Sequence, residues 1–149
     1  RYQTLVNQDI PPVELPGGAG QVRVIAGEFQ GVAGPAMTFS PVHLYDLRVT
    51  AGHRVELTLP AGFNTSALVL RGRVAINGSR EAREAELAVF GQAGERVTFE
   101  AKEDATLLVL SGKPIEEPIA RYGPFVMNTR EELMQAAQDY QAGKMGHLS

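Results

Sequence analysis

Histidine comes first among the groups that could do chemistry, because it is the commonest metal ligand and the usual acid–base group near neutral pH. The chain has three, His43, His53 and His147. No two stand at i, i+2 or at i, i+4, so neither a strand nor a helix presents a local pair to a metal. They read as surface or strand-edge residues and not as ligands. Glu81, Glu84 and Glu86 cluster, and Glu116 adjoins Glu117. A general-acid pair needs two carboxylates held across a cleft, one of them raised by burial. These acids lie in polar segments and read as exposed charge. Ser40, Ser66, Ser79, Ser111 and Ser149 all lack the G-x-S-x-G elbow of a hydrolase nucleophile. Pro16-Gly17-Gly18-Ala19-Gly20 lacks the Lys-Ser/Thr and the helix of a phosphate loop, and reads as a turn. There is no cysteine, hence no thiolate ligand, thiol nucleophile or disulfide.

The elements that would position such groups alternate with period two. Val22 and Val24, then Tyr45, Leu47 and Val49, then Val55, Leu57 and Leu59, then Val97 and Phe99 are each separated by polar residues, the pattern of half-buried strands. Ala67–Leu70 and Leu107–Leu110 are unbroken apolar runs, which suit strands covered on both faces. Turn signals at Pro16-Gly17-Gly18, Gly34-Pro35, Ala51-Gly52, Pro60-Ala61-Gly62, Asn77-Gly78 and Gly94-Glu95 divide them. Asn77-Gly78 favours a type I′ hairpin, since both residues tolerate positive φ. Short strands at about 8–12-residue spacing point to a sandwich or barrel. Ser79 to Glu86 is charged, without a core pattern, and is expected to be an exposed excursion after the hairpin.

Only the end of the chain changes period. Asn128 or Thr129 can cap a helix, with an acid three residues on completing a capping box. Leu133, Ala136, Ala137 and Tyr140 then share one helical face, and Gly143 is placed to end it.

The 149 residues fit one domain, able to bury roughly 70% of the surface its unfolded chain exposes. A formal net charge of −3 and the absence of a Lys/Arg block argue against nucleic acid. No apolar run approaches the ~20 residues of a membrane span. Arg1-Tyr2-Gln3 offers neither an apolar signal region nor an initiator Met. It reads as the start of a processed chain or of a piece of a longer one, with the cytoplasm the expected location.

The segment Tyr122-Gly123-Pro124-Phe125-Val126-Met127-Asn128-Thr129 leads an apolar stretch into the capped helix. Ordinary packing of a C-terminal arm accounts for it. The sharper reading has it dock on another domain or subunit, with Phe125, Met127 and Tyr140 as anchors, because aromatics and Met are enriched at such contacts.

Gly123-Pro124-Phe125-Val126-Met127-Asn128-Thr129, Arg130-Glu131-Glu132-Leu133 and Asp139-Tyr140-Gln141-Ala142-Gly143-Lys144-Met145-Gly146 together resemble the C-terminal signature of pirins. Arg1-Tyr2-Gln3 resembles the linker of that family. Val22-Arg23-Val24-Ile25-Ala26-Gly27-Glu28 resembles the opening of its second domain, and Gly34-Pro35-Ala36 and Tyr45-Asp46 also fit. The resemblance spans essentially the whole chain. It implies an all-β, cupin-type (jelly-roll) β-barrel with a C-terminal α-helix. Residues 1–149 would form a single cupin-like domain, and 122–146 its arm and helix.

Pirins are tandem cupin barrels. In the family the N-terminal barrel binds one metal, usually iron, through histidines and a glutamate, and the C-terminal barrel has generally lost that site. The resemblance therefore implies no metal and no catalytic residue in this chain. The stretch matching the first cupin motif, Gly62-Phe63-Asn64-Thr65-Ser66-Ala67-Leu68-Val69-Leu70-Arg71-Gly72, has no His and no Glu, and no His stands near Gly94-Glu95-Arg96-Val97. Iron or another divalent metal is expected in the N-terminal cupin of the intact protein. The expected partners are that cupin and a regulatory protein, with neither nucleic acid nor membrane. The expected role is a non-catalytic half that supports the metal-bearing half and protein–protein contacts. Two alternatives stand beside it. The chain would be part of a metal-dependent quercetin (flavonol) 2,3-dioxygenase with its active site in the other domain, or a metal-free barrel binding a small ligand in its mouth.

Overall fold

The computed structural model describes residues 3–146. Two compact units divide the chain, Arg1–Pro114 and Ile115–Ser149. The first unit holds β1 (Pro12–Leu15), β2 (Gly20–Ala26), β3 (Glu28–Phe29), β4 (Val32–Ala33), β5 (Val42–Val49), β6 (Arg54–Thr58), β7 (Asn64–Arg71), β8 (Arg73–Ile76), β9 (Arg80–Arg83), β10 (Leu87–Val89), β11 (Arg96–Ala101) and β12 (Ala105–Gly112). A six-stranded antiparallel sheet runs β1-β2-β5-β12-β7-β10, and a four-stranded one runs β6-β11-β8-β9. β3 and β4 pair only with each other.

The period-two residues face inward. Val22, Val24, Tyr45, Leu47 and Val49 from the large sheet and Val55, Leu57, Val97 and Phe99 from the small one join a single buried cluster. Burying each Val, Leu or Phe contributes about 1.5–3 kcal/mol relative to exposure, so this shared core is what holds the two sheets together. The expected barrel is present as two sheets sharing a core, and their ladders do not join into a closed ring. Asn77 (φ 49) and Gly78 (φ 65) take the positive φ that a type I′ turn requires and connect β8 to β9, the Ser79 N–H donating to the Ile76 carbonyl at 3.1 Å.

Two expectations are corrected here. Residues 80–83 of the supposed excursion form β9, paired with β8 from Ile76↔Arg80 to Arg73↔Arg83. Ala82 is the single inward side chain, so charge at every other position hid the alternation. The apolar runs of β7 and β12 are fully covered on one face and only partly on the other, where Leu68 and Leu108 are half-buried. Ala67, Val69, Leu107 and Val109 are fully buried, while Leu70 is 47% and Leu110 36% exposed. Leu68 pairs with Leu108 and with Leu87, so the outer side of three neighbouring strands carries a row of leucines.

The second unit holds β13 (Ala120–Tyr122), β14 (Phe125–Met127) and α1 (Arg130–Gln141). β13 and β14 form a hairpin, pairing Tyr122 with Phe125 and Ala120 with Met127. Thr129 caps α1, its hydroxyl accepting from the Glu132 N–H at 3.2 Å, while the Glu132 carboxylate accepts from the Thr129 and Asn128 N–H groups at 2.9 and 3.0 Å. Four free amides at a helix start need such partners. At the other end Gly143 (φ 71) donates to the Tyr140 carbonyl, and Lys144 donates to that of Asp139. That is the Schellman pattern, which a residue with a Cβ adopts only with strain. The predicted helix therefore begins and ends where its caps dictate. Arg1, Tyr2 and His147 lie outside the described residues. Among the described residues, no helix is long and apolar enough to cross a membrane.

Candidate functional site: the polar mouth of the first unit

Three strands of the large sheet end their inward rows on polar residues. Along β5 the inner face runs Val49, Leu47, Tyr45, His43. Along β12 it runs Ala105, Leu107, Val109, Ser111, and along β7 Val69, Ala67, Thr65. Register places His43 opposite Ser111 and Ser111 opposite Thr65, so imidazole and two hydroxyls form one transverse row where the apolar core stops.

Each member of the row has a partner. The Thr65 and Ser111 hydroxyl oxygens are 2.8 Å apart, and Ser111 is 2% exposed. The Tyr45 hydroxyl donates to the Glu28 carbonyl at 2.6 Å and lies 2.9 Å from His43 Nδ1. A carbonyl only accepts, so the single phenolic proton belongs to that bond. Nδ1 of neutral His43 must then carry the proton donated to Tyr45, which leaves Nε2 as an acceptor. Burial, with the Glu28 carboxylate adding to it, pushes the Tyr45 hydroxyl up to about 12. The phenol therefore stays neutral and serves as a structural hydrogen-bonding group. Gly27 (φ 76) lets the chain pass here, since a Cβ on it would lie 2.6 Å from His43 Nδ1 and from the Val42 carbonyl oxygen. The Phe29 ring meets Tyr45 edge-on at 5.7 Å, and Phe63 lies 6.0 Å from His43. Beside the row, Phe63, Thr65, Phe90, Gln92 and Arg96 line a cavity of ≈ 140 Å³.

This donor set does not fit a divalent transition metal. Such an ion takes several imidazole or carboxylate ligands, and the mouth offers one imidazole and two hydroxyls that bond each other. Among the described residues no group of three or more His, Cys, Asp or Glu converges anywhere. His53 stands apart, its Nδ1 3.2 Å from the Ala51 carbonyl oxygen in the turn before β6. Glu81 lies 3.9 Å from Arg73, Glu86 caps the Arg83 N–H at 2.9 Å, and Glu117 accepts from the Asn128 side chain.

Phe125, Met127 and Tyr140 lie in the second unit. The structure brings Phe125 and Tyr140 together, with ring centroids 6.0 Å apart in an edge-on arrangement. Phe125 and Met127 are half-buried on β14, while Tyr140 is 66% exposed. From sequence, Ser111 is weighed only as a nucleophile and Thr65 is given no role. Their signal was parity alone: each stands two residues beyond a buried apolar residue on its own strand and so had to face inward.

Strand-rich architecture in two sheets around one core, followed by a single C-terminal helix, makes this a cupin fold. Residues 44–146 match the family model of the pirin C-terminal cupin domain, and the chain belongs to that family. A Pseudomonas aeruginosa protein named "Putative quercetin 2,3-dioxygenase" is 47% identical over 144 residues, which are 97% of this chain and 50% of that protein. A "Pirin-like protein" of Solanum lycopersicum is 35% identical over 149 residues, covering 98% of this chain and 50% of that protein. The crystal structure of quercetin 2,3-dioxygenase from Acinetobacter baumannii superposes with a TM-score of 0.89 at 38% identity, over 100% of this chain and 52% of that one. The chain spans about half the length of the curated relatives it matches.

Proposed function

We propose that this chain is the non-catalytic half of a two-cupin protein, supporting a metal-bearing N-terminal cupin and offering surface for protein contacts. The donor set at the mouth carries the reading: the place where a cupin holds its metal has Phe63, Asn64, Thr65 and Ser66 in sequence, and the row beside it is self-satisfied. The outer leucines of β7, β10 and β12 support it further. Leu87 is 57% and Val89 75% exposed, a cost in water that packing against the other half offsets. The second unit offers Phe125, Met127 and Tyr140 as the anchors of a contact with another domain or subunit. The two sheets act as a jelly-roll barrel whose mouth is closed to metal.

The relatives' names support a second level of the same reading. The intact protein is a quercetin 2,3-dioxygenase of the cytoplasm whose iron, or another divalent metal, sits in the other cupin. A regulatory protein is the partner of the surface this half presents. The ≈ 140 Å³ cavity beside Thr65 favours one alternative, a metal-free mouth that takes a small ligand.

Metal analysis separates these readings. The 149-residue chain, incubated with iron(II), nickel(II) or copper(II) and desalted, is expected to retain less than stoichiometric metal, while the two-cupin protein retains one ion. Stoichiometric metal in the chain alone would overturn the reading. A flavonol that raises the melting temperature of the chain alone would move the function to the mouth.

A further inference from the structure

We infer that Asn77-Gly78 is a site of spontaneous deamidation that the small sheet holds latent. The chemistry belongs to any Asn followed by Gly. The Gly78 backbone nitrogen attacks the Asn77 side-chain carbon Cγ, forming an N–Cγ bond and giving up its proton. The Cγ–Nδ2 bond breaks and ammonia leaves, closing a five-membered imide. Water then opens the ring at either carbonyl, giving aspartate or isoaspartate.

Access at this site is complete. Asn77 and Gly78 are exposed, and nothing within 4 Å of Gly78 would meet even an added Cβ, so neither water nor the nucleophile is shielded. Only the hydrogen bonding holds the reaction back. Asn77 Oδ1 accepts from the Thr98 N–H at 2.9 Å, and the Asn77 N–H donates to the Thr98 carbonyl at 3.0 Å. The side-chain amide thus replaces the backbone acceptor that β8 would have supplied to β11 had it run one residue further. To reach the Gly78 nitrogen, Cγ must rotate away and leave the Thr98 N–H, part-buried, without a partner. Reaction therefore waits on the opening of this one bond, with the Asn77 side chain swung free of Thr98.

The two products have different fates. Aspartate keeps an oxygen for the Thr98 N–H and adds one negative charge at a residue shared by the mouth cavity and the neighbouring cleft under β9 and β10. Isoaspartate inserts an extra backbone carbon into the turn and displaces the Ile76↔Arg80 register.

The test incubates the whole chain, folded in buffer and unfolded in urea, at the same mildly alkaline pH and temperature, and follows each Asn by peptide mapping. Asn7, Asn64 and Asn128, each followed by a bulkier residue, are internal references. In the unfolded chain Asn77 is expected to convert faster than the other three. Folding is expected to slow it by about tenfold, the factor that one broken hydrogen bond's worth of opening gives. Equal rates in the two states would overturn the latency, and conversion no faster than at the references would overturn the site. N77D is expected to keep the urea midpoint of the parent while N77A lowers it. An equal drop in both would remove Oδ1 as the holding group.

Discussion

Thr65 and Ser111 face each other across β7 and β12 with hydroxyl oxygens 2.8 Å apart, and one of the two is almost wholly buried. The pair seals the core at the mouth. Thr65→Val leaves the Ser111 hydroxyl without its partner and is expected to destabilise the first unit by about 1–3 kcal/mol. The double variant T65V/S111A removes both groups and is expected to cost less than the sum of the single changes. Urea unfolding with linear extrapolation reads both. Strict additivity would mean that the two hydroxyls do not depend on each other.

Tyr45 makes stability fall in alkali. Its folded pKa of about 12 lies above the ordinary tyrosine value of 10.0 that applies to the unfolded chain. The stabilisation is complete below pH 10. It declines from there, because the unfolded state releases the phenolic proton first, and it is lost once pH passes through 12. Y45F lacks the proton, so the difference between parent and variant is expected to shrink across this window. A constant difference in urea midpoint from pH 9 to 12 would contradict the assignment.

Much of this was legible in the chain and some was not, for identifiable reasons. Val22, Leu47, Leu57 and Phe99 each announced a buried face, because one polar residue on either side makes the period visible. β9 stayed hidden, since its inward residue is the small Ala82 and the rest is charge. Ser111 and Thr65 lie 46 residues apart, and only strand pairing brings them together. His43 was visible as a strand-start histidine, but its bond to Tyr45 depends on Gly27 letting the backbone pass. The β13–β14 hairpin was masked by Gly123-Pro124, whose apolar flanks resemble a single arm.

The caps of α1 make a separate prediction in the second unit. Thr129→Ala is expected to cost about 1 kcal/mol, and Gly143→Ala a similar amount, because φ 71 strains any residue with a Cβ. Helical circular dichroism during thermal melting, together with limited proteolysis between residues 128 and 146, should show both variants opening before the first unit. No change in either measurement would mean that the helix is held by packing alone.

The outer leucines predict behaviour in solution. The 149-residue chain by itself is expected to self-associate, and the paired variant L87K/V89K to shift it toward monomer. Light scattering over a concentration series decides. A monodisperse monomer for the parent chain would show that the face tolerates water as it stands.

The four outer edges of the six-stranded and four-stranded sheets are not alike. β6 and β9 border the small sheet and turn Arg54, Glu56, Arg80, Glu81 and Arg83 outward. β1 borders the large sheet with Pro12 and Glu14 exposed. β10 borders it with Leu87 and Val89. Charge and proline discourage a foreign strand from adding to a ladder, and bare aliphatic side chains do not. Among these four edges amyloid-like extension therefore has one door, and a single lysine on β10 would shut it without touching the core.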